Sequence, residues 1–140
     1  MNEMQYRSPT GSYELALPAD VVEDVDERCT SYWRNDADVV LQLSSYRRHE
    51  GPQVTAKDRL DARLSRENRP GVSAAALSVP ECPDVAAAAF QDSEGILWHY
   101  CYCVWPHLTV FVTIAGSVEG IGEGARWALD ALRSLRLRGS

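Results

Sequence analysis

The chain has 140 residues, 45% of them apolar and 24% charged, and a net charge of −6. That length supports one domain that needs neither disulfide nor metal to bury a core, and that composition excludes an intrinsically disordered chain. Residues 1–40 hold nine acids against three Arg, while residues 41–140 balance eleven against eleven, which argues against nucleic-acid binding as a bulk property.

Residues 1–11, polar with Pro9 and Gly11, form a loose lead-in to a single domain over 12–137. The opening has no basic stretch followed by an apolar one, so the sequence predicts no signal peptide and a cytoplasmic setting. Tyr13, Leu15 and Leu17 alternate with Glu14 and Ala16, a short strand that Pro18 stops. Asp20–Asp26 makes an acidic turn. Arg28–Arg34 alternates again, with Cys29, Ser31 and Trp33 on one side and Thr30 and Tyr32 on the other. Asn35–Asp38 is a turn, and Val39–Arg47 is a strand with Val39, Leu41 and Leu43 toward the core.

Thr55 followed by Asp58 is a variant capping box, with Val54 placed to staple onto the first turn. The helix it opens runs from Ala56 to about Asn68 and ends at Pro70-Gly71. Its apolar stripe is narrow: Ala56, Leu60 and Leu64. Lys57/Asp61 and Arg63/Glu67 stand at i,i+4. Such a helix lies on the surface over a sheet edge. Ala74–Val79 and the Ala-rich Val85–Gln91 follow as strands. Asp92–Gly95 is a four-residue hairpin turn.

The stretch from Ile96 to Ala115 carries no acidic or basic side chain other than two His. It is rich in β-branched and aromatic residues, and Pro106-His107 breaks it in the middle. It forms two long strands, the central hairpin of a sheet, and the break excludes a membrane-spanning helix. Gly116–Gly124 is a loop. A helix from about Ala125 to Ser134 presents Ala125, Ala128, Leu129, Leu132 and Leu135 as a broad apolar stripe. The class is α+β. A mostly antiparallel sheet of six or seven strands carries a helix after strand three and a C-terminal helix packed on it.

Tyr13-Glu14-Leu15-Ala16-Leu17-Pro18, the strand Val40–Tyr46, the hairpin Trp98–Val112 and the closing helix Trp127–Leu135 together resemble the superfamily that contains the photosystem II subunit PsbP and the import protein Mog. The likeness covers about residues 12–137 and points to bacterial members, including adaptor chaperones for type VI secretion effectors. It implies a protein-binding role.

Among candidate chemistries, His99, Cys101 and Cys103 alternate on one face, with His107 or Cys82 as a fourth soft ligand for zinc. The usual spacing of two residues between ligating Cys is absent, and Cys also serves as a small core residue, so the sequence assigns no metal and no cofactor. Cys101 and Cys103 are i,i+2 on one strand, which places them at or beyond disulfide reach. The glycines of 116–124 sit where a phosphate loop would, without its Gly-Lys-Ser/Thr. Arg59, Arg63 and Arg66 form a basic stripe that the acids of 20–27 could face.

In the hairpin, Trp98, Tyr100 and Tyr102 share the face opposite His99, Cys101 and Cys103. With Tyr32 and Tyr46 aligned beside them, they would give an aromatic, semi-polar surface for a protein partner or a homodimer. Burial under the first helix explains the same pattern equally well. The leading expectation is a non-enzymatic protein-binding module, an adaptor or chaperone. An immunity protein steering its acidic first third onto a basic toxin is an alternative. A small enzyme with an unrecognised site is another.

Overall fold

In the computed structural model, the structure describes residues 4–34, 39–47, 54–69, 73–75, 77–117 and 125–138. In chain order the elements are β1 (Met4–Arg7), β2 (Tyr13–Pro18), β3 (Val22–Val25), β4 (Thr30–Trp33), β5 (Val40–Arg47), α1 (Ala56–Arg66), β6 (Ser73–Ala74), β7 (Asp84–Gln91), β8 (Ile96–Trp105), β9 (Leu108–Ser117), α2 (Arg126–Arg133) and β10 (Arg136–Leu137). They build a seven-stranded sheet in the order β3-β4-β5-β9-β8-β7-β6 and a three-stranded sheet in the order β1-β2-β10. Every pairing is antiparallel, so the chain is an α+β protein.

The β8–β9 hairpin pairs over its whole length, from Ile96 opposite Ser117 to Trp105 opposite Leu108. The turn into it is closed by one carboxylate. Asp92 Oδ1 accepts the N–H groups of Glu94 and Ile96, each at 2.9 Å, and Asp92 Oδ2 accepts the indole N–H of Trp98 at 2.9 Å. Gly95 takes φ +81°, which an L side chain would resist.

Thr55 caps α1, its hydroxyl accepting the Asp58 N–H at 3.1 Å, a contact typically worth about 1 kcal/mol. Val54 is exposed. The helix ends at Arg66 because Asn68 enters the left-handed region at φ 60° and the Arg69 N–H reaches back to the Leu64 carbonyl at 2.8 Å. The expected stop at Pro70-Gly71 lies outside the described residues.

Two cores flank the large sheet. The main one gathers Tyr13, Leu15 and Leu17 of β2, Val39, Leu41 and Leu43, the inner face of the hairpin (Cys101, Cys103, Val110, Val112, Ile114), and Trp127, Ala128, Ala131 and Leu132 of α2. The small sheet and α2 thus cover one side. On the other side α1 sets Ala56, Leu60 and Leu64 against Ala88, Tyr100, Tyr102, Val104 and Phe111, packing across β7 and β8.

Several parts of the sequence reading change, and α1 follows the fifth strand rather than the third. The lead-in contains β1, whose register runs from Met4 opposite Pro18 to Arg7 opposite Leu15. The acidic turn contains β3, paired with β4. The strand expected over Ala74–Val79 shortens to β6, with residues 75 and 77–79 outside any strand. Of the Gly116–Gly124 loop, Gly116 belongs to β9 and residues 118–124 lie outside the described residues.

Candidate functional surfaces

The five aromatic residues proposed for partner binding do not share one open face. Tyr32 is wholly buried in the main core, because β4 pairs with β5 so that Tyr32 stands opposite Leu41. Its hydroxyl donates to Glu23 at 2.7 Å, and burial first and this bond second push its pKa well above the ordinary phenol value. Tyr100 and Tyr102 are 7% and 5% exposed beneath α1. Trp98 is half-buried beside them. Tyr46 alone stands open, at 48%. The surface expected from Trp98, Tyr100 and Tyr102 is therefore closed by a helix.

That closure is polar at its seam. Arg63 donates to the Tyr102 hydroxyl at 2.6 Å, and its guanidinium lies 4.0 Å from the Phe111 ring centroid. The Tyr100 hydroxyl donates to Glu67 at 2.8 Å, and burial followed by this bond pushes its pKa up to about 12. Arg69 lies 4.2 Å from the Phe90 centroid and 3.4 Å from Glu67. The phenols are satisfied without water, so their polarity was no sign of an open face. The i,i+4 spacing of Arg63 and Glu67 was legible in sequence; their reach to the sheet was not.

A different part of the same face stays uncovered by α1. Strands β3 to β5 turn Val22, Asp24, Ser31, Trp33, Val40, Gln42, Ser44 and Tyr46 to that side, and none of them is fully buried. Gln42 Nε2 donates to Ser31 Oγ at 3.0 Å, which keeps this stretch semi-polar. Trp33 and Tyr46 mark its ends, roughly 20 Å apart at the rise of a strand. At its margin β3 exposes Asp24, while Glu23 and Val25 alternate to the other face, Val25 at 53%. Two of the neighbouring acids have cationic partners: Asp20 with Arg34 at 2.8 Å and Glu23 with Arg7 at 3.9 Å. Asp20 and Glu23 thus meet Arg34 and Arg7 rather than the α1 stripe of Arg59, Arg63 and Arg66.

All four Cys are free thiols. Cys101 and Cys103 Sγ lie 3.8 Å apart in the main core, and Cys82 Sγ lies 3.7 Å from the Val104 carbonyl. The hydrogen bond with Cys101 comes first, and that with Cys82 second, among the effects that raise the Cys103 thiol far above its ordinary value. Among the described residues, no group of three His, Cys, Asp or Glu is placed to hold a metal ion.

His99 stands on the same strand face with Nδ1 buried and without a hydrogen-bond partner, and burial lowers its pKa. The unfolded chain therefore binds this proton more readily than the native one. The stability that neutral His99 contributes is fully present above the ordinary imidazole value of about 6.5. It is lost as the pH falls through that value toward the lowered native one. Urea midpoints measured from pH 8 down to pH 5 should decline for the native chain and decline less for His99→Gln. Parallel curves would show that His99 does not set this dependence.

No helix among the described residues is long and apolar enough to cross a membrane. No protein-family model matches the chain, and no curated protein matches it. A solved structure of a protein from Bacteroides thetaiotaomicron VPI-5482 is similar to it, with a TM-score of 0.63 at 14% identity over 98% of this chain. The chain spans about half of that protein, 48% of its length. At that identity the likeness is one of fold: an α+β chain built on antiparallel sheet, with a counterpart among solved structures.

Proposed function

We propose that the chain is a non-enzymatic protein-binding module whose contact surface is the half of the large sheet beyond α1, β3 to β5. The observation that carries this reading is that α1 packs on β7, β8 and Phe111 of β9, so its main contacts stop short of β3 to β5. Trp33, Val40 and Tyr46 are left on a semi-polar strip beside an acidic margin. Partner surfaces combine aromatic anchors with a polar rim in this way. The partner that fits presents aliphatic side chains along β5 and Arg or Lys toward β3. The likeness of the strand order to the PsbP/Mog-like superfamily belongs to the same proposal, and with it an adaptor or chaperone role in a bacterial cytoplasm.

The test is capture of the partner by the native chain and by a Trp33→Ala, Tyr46→Ala double variant whose fold is checked by circular dichroism. The variant should bind at least about tenfold more weakly, which corresponds to 1.4 kcal/mol or more. Arg133→Ala, on α2 across the molecule, should bind as the native chain does. Unchanged capture by the double variant would overturn the reading. Pairing of two copies through this strip is the competing arrangement, and light scattering reads it directly.

The exposed acids of β3 favour a second reading, an immunity protein for a basic toxin. In that case association slows steeply as salt rises, since opposite charges steer the encounter. A rate indifferent to salt would remove it.

A further inference from the structure

The main core reaches the surface at the Pro106-His107 turn. There the ends of β5, β8 and β9 and the small sheet leave a cleft of about 410 Å³, within the range of small-ligand sites. Trp105 and Leu137 are apolar walls of it, and Arg47, Arg138, His107 and Ser12 stand among its lining. Ser12 meets both basic residues, Arg47 through its side chain and Arg138 through its backbone. Its hydroxyl accepts from Arg47 Nη2 at 2.7 Å, and its carbonyl accepts the Arg138 N–H at 3.2 Å.

The charge of this cleft is unlike that of the chain. Among the described residues that line it there is no Asp or Glu. Six other Arg have a carboxylate within ion-pair distance, namely Arg7, Arg34, Arg63, Arg69, Arg133 and Arg136. Arg47 and Arg138 have none among the described residues, and neither do Arg28, Arg59, Arg66 and Arg126; what sets the first two apart is that they line one cleft. A neighbouring groove on the other side of Trp105 and Leu137 makes the contrast. It contains Glu14, Glu81 and Arg136, and Arg136 already lies 2.8 Å from Glu14. One groove is neutralised from within. The other is lined by Arg47, Arg138 and an apolar wall, with no carboxylate among the described residues, in a protein whose net charge is −6.

We propose that this cleft binds a small organic acid, its one carboxylate held by Arg47 and Arg138 and its aromatic or branched apolar body laid against Trp105 and Leu137. Guanidinium groups match a carboxylate with paired N–H donors, and an indole wall favours a flat or branched body over a bare inorganic anion. The proposal is independent of the protein-binding strip, which lies on the other face of the sheet.

The test titrates the full chain with 3-phenylpropanoate and follows the indole N–H signal of Trp105 by NMR, assigned by its loss in Trp105→Phe. The signal should shift saturably. Arg47→Gln keeps a donor for Ser12 while removing the charge. It and Arg138→Gln should each weaken binding about tenfold, the effect of losing one charge-assisted hydrogen-bonded contact. Their unfolding midpoints should stay at the native value. The corresponding amide, 3-phenylpropanamide, should not bind. Absence of a saturable shift, equal binding of the amide, or displacement by inorganic phosphate at the same concentration would each overturn the proposal. A peptide ending in a free phenylalanine carboxylate that bound tenfold tighter would also overturn it, by identifying a chain terminus as the occupant.

Discussion

Phe111→Ala should lower the unfolding free energy by about 3–5 kcal/mol, the usual cost of emptying a buried aromatic site, and should release α1 ahead of the rest of the fold. Phe111 is 7% exposed. Tyr102 stacks on its ring at 4.5 Å between centroids, Tyr100 meets it edge-on at 5.3 Å, and the Arg63 guanidinium rests on it at 4.0 Å. One truncation therefore removes the support of two aromatic rings and of the Arg that ties α1 to the sheet. Beyond this seam the helix is tied by the Tyr100–Glu67 bond and by the Ala56 N–H, which donates to Asp84 Oδ2 at 2.9 Å. It buries only Ala56, Leu60 and Leu64, and eleven residues form a marginal helix on their own in water. Hydrogen exchange resolved by residue should show the α1 amides losing protection while those of β9 facing the main core keep theirs. Native protection of α1 in the variant would mean that its apolar stripe and these two bonds suffice.

Leu41→Ala should cost about 2–5 kcal/mol, while Gln42→Ala, one residue further on, should stay within about 1 kcal/mol. Leu41 is wholly buried in the main core between Tyr32 and Ile114. Gln42 faces the strip beyond α1, where its one side-chain hydrogen bond goes to Ser31. Side chains alternate along a strand, so a shift of one residue in the pairing would exchange the two effects. Urea unfolding of the two variants at one pH checks the register. Equal destabilisation would contradict it.

The central hairpin was legible in sequence because its signal is dense. It combines a two-residue rhythm, β-branched and aromatic side chains, a break at Pro106-His107, and Asp92 and Gly95 in the preceding turn. Val39, Leu41 and Leu43 and the stripe of α1 were legible for the same reason, each being an apolar period with no competing pattern. β1 and β3 were not. Met4–Arg7 and Val22–Val25 sit at the margins of their sheets and are largely exposed, so burial imposes no alternation on them. What defines them is backbone pairing, which side chains do not announce. The aromatic face failed for a subtler reason. Phenol hydroxyls seek water or a partner, and sequence shows neither. Here Glu67 and Arg63 supply the partners from a helix more than thirty positions away. Tyr32 failed through parity, since the alignment of β4 with β5 depends on the pairing across Asn35–Asp38 and not on either strand alone. Trp33 took its place on the open side. The strip beyond α1 and the cleft beneath the turn both arise where elements stop covering one another, a property of packing rather than of any local run of residues.

The closure of the small sheet has a consequence for how the chain acquires its structure. β2 is secured by residues near the opposite end: Leu137 pairs with Tyr13, Arg136 with Glu14, and Ser134 accepts the Ala16 N–H across 118 positions. Contacts so distant along the chain are slow to form, because the intervening loop must close before they return any energy. Tyr13, Leu15 and Leu17 are synthesised more than a hundred positions ahead of α2 and β10, the elements that complete their cover. That interval is when a nascent chain of this kind is most exposed to wrong association.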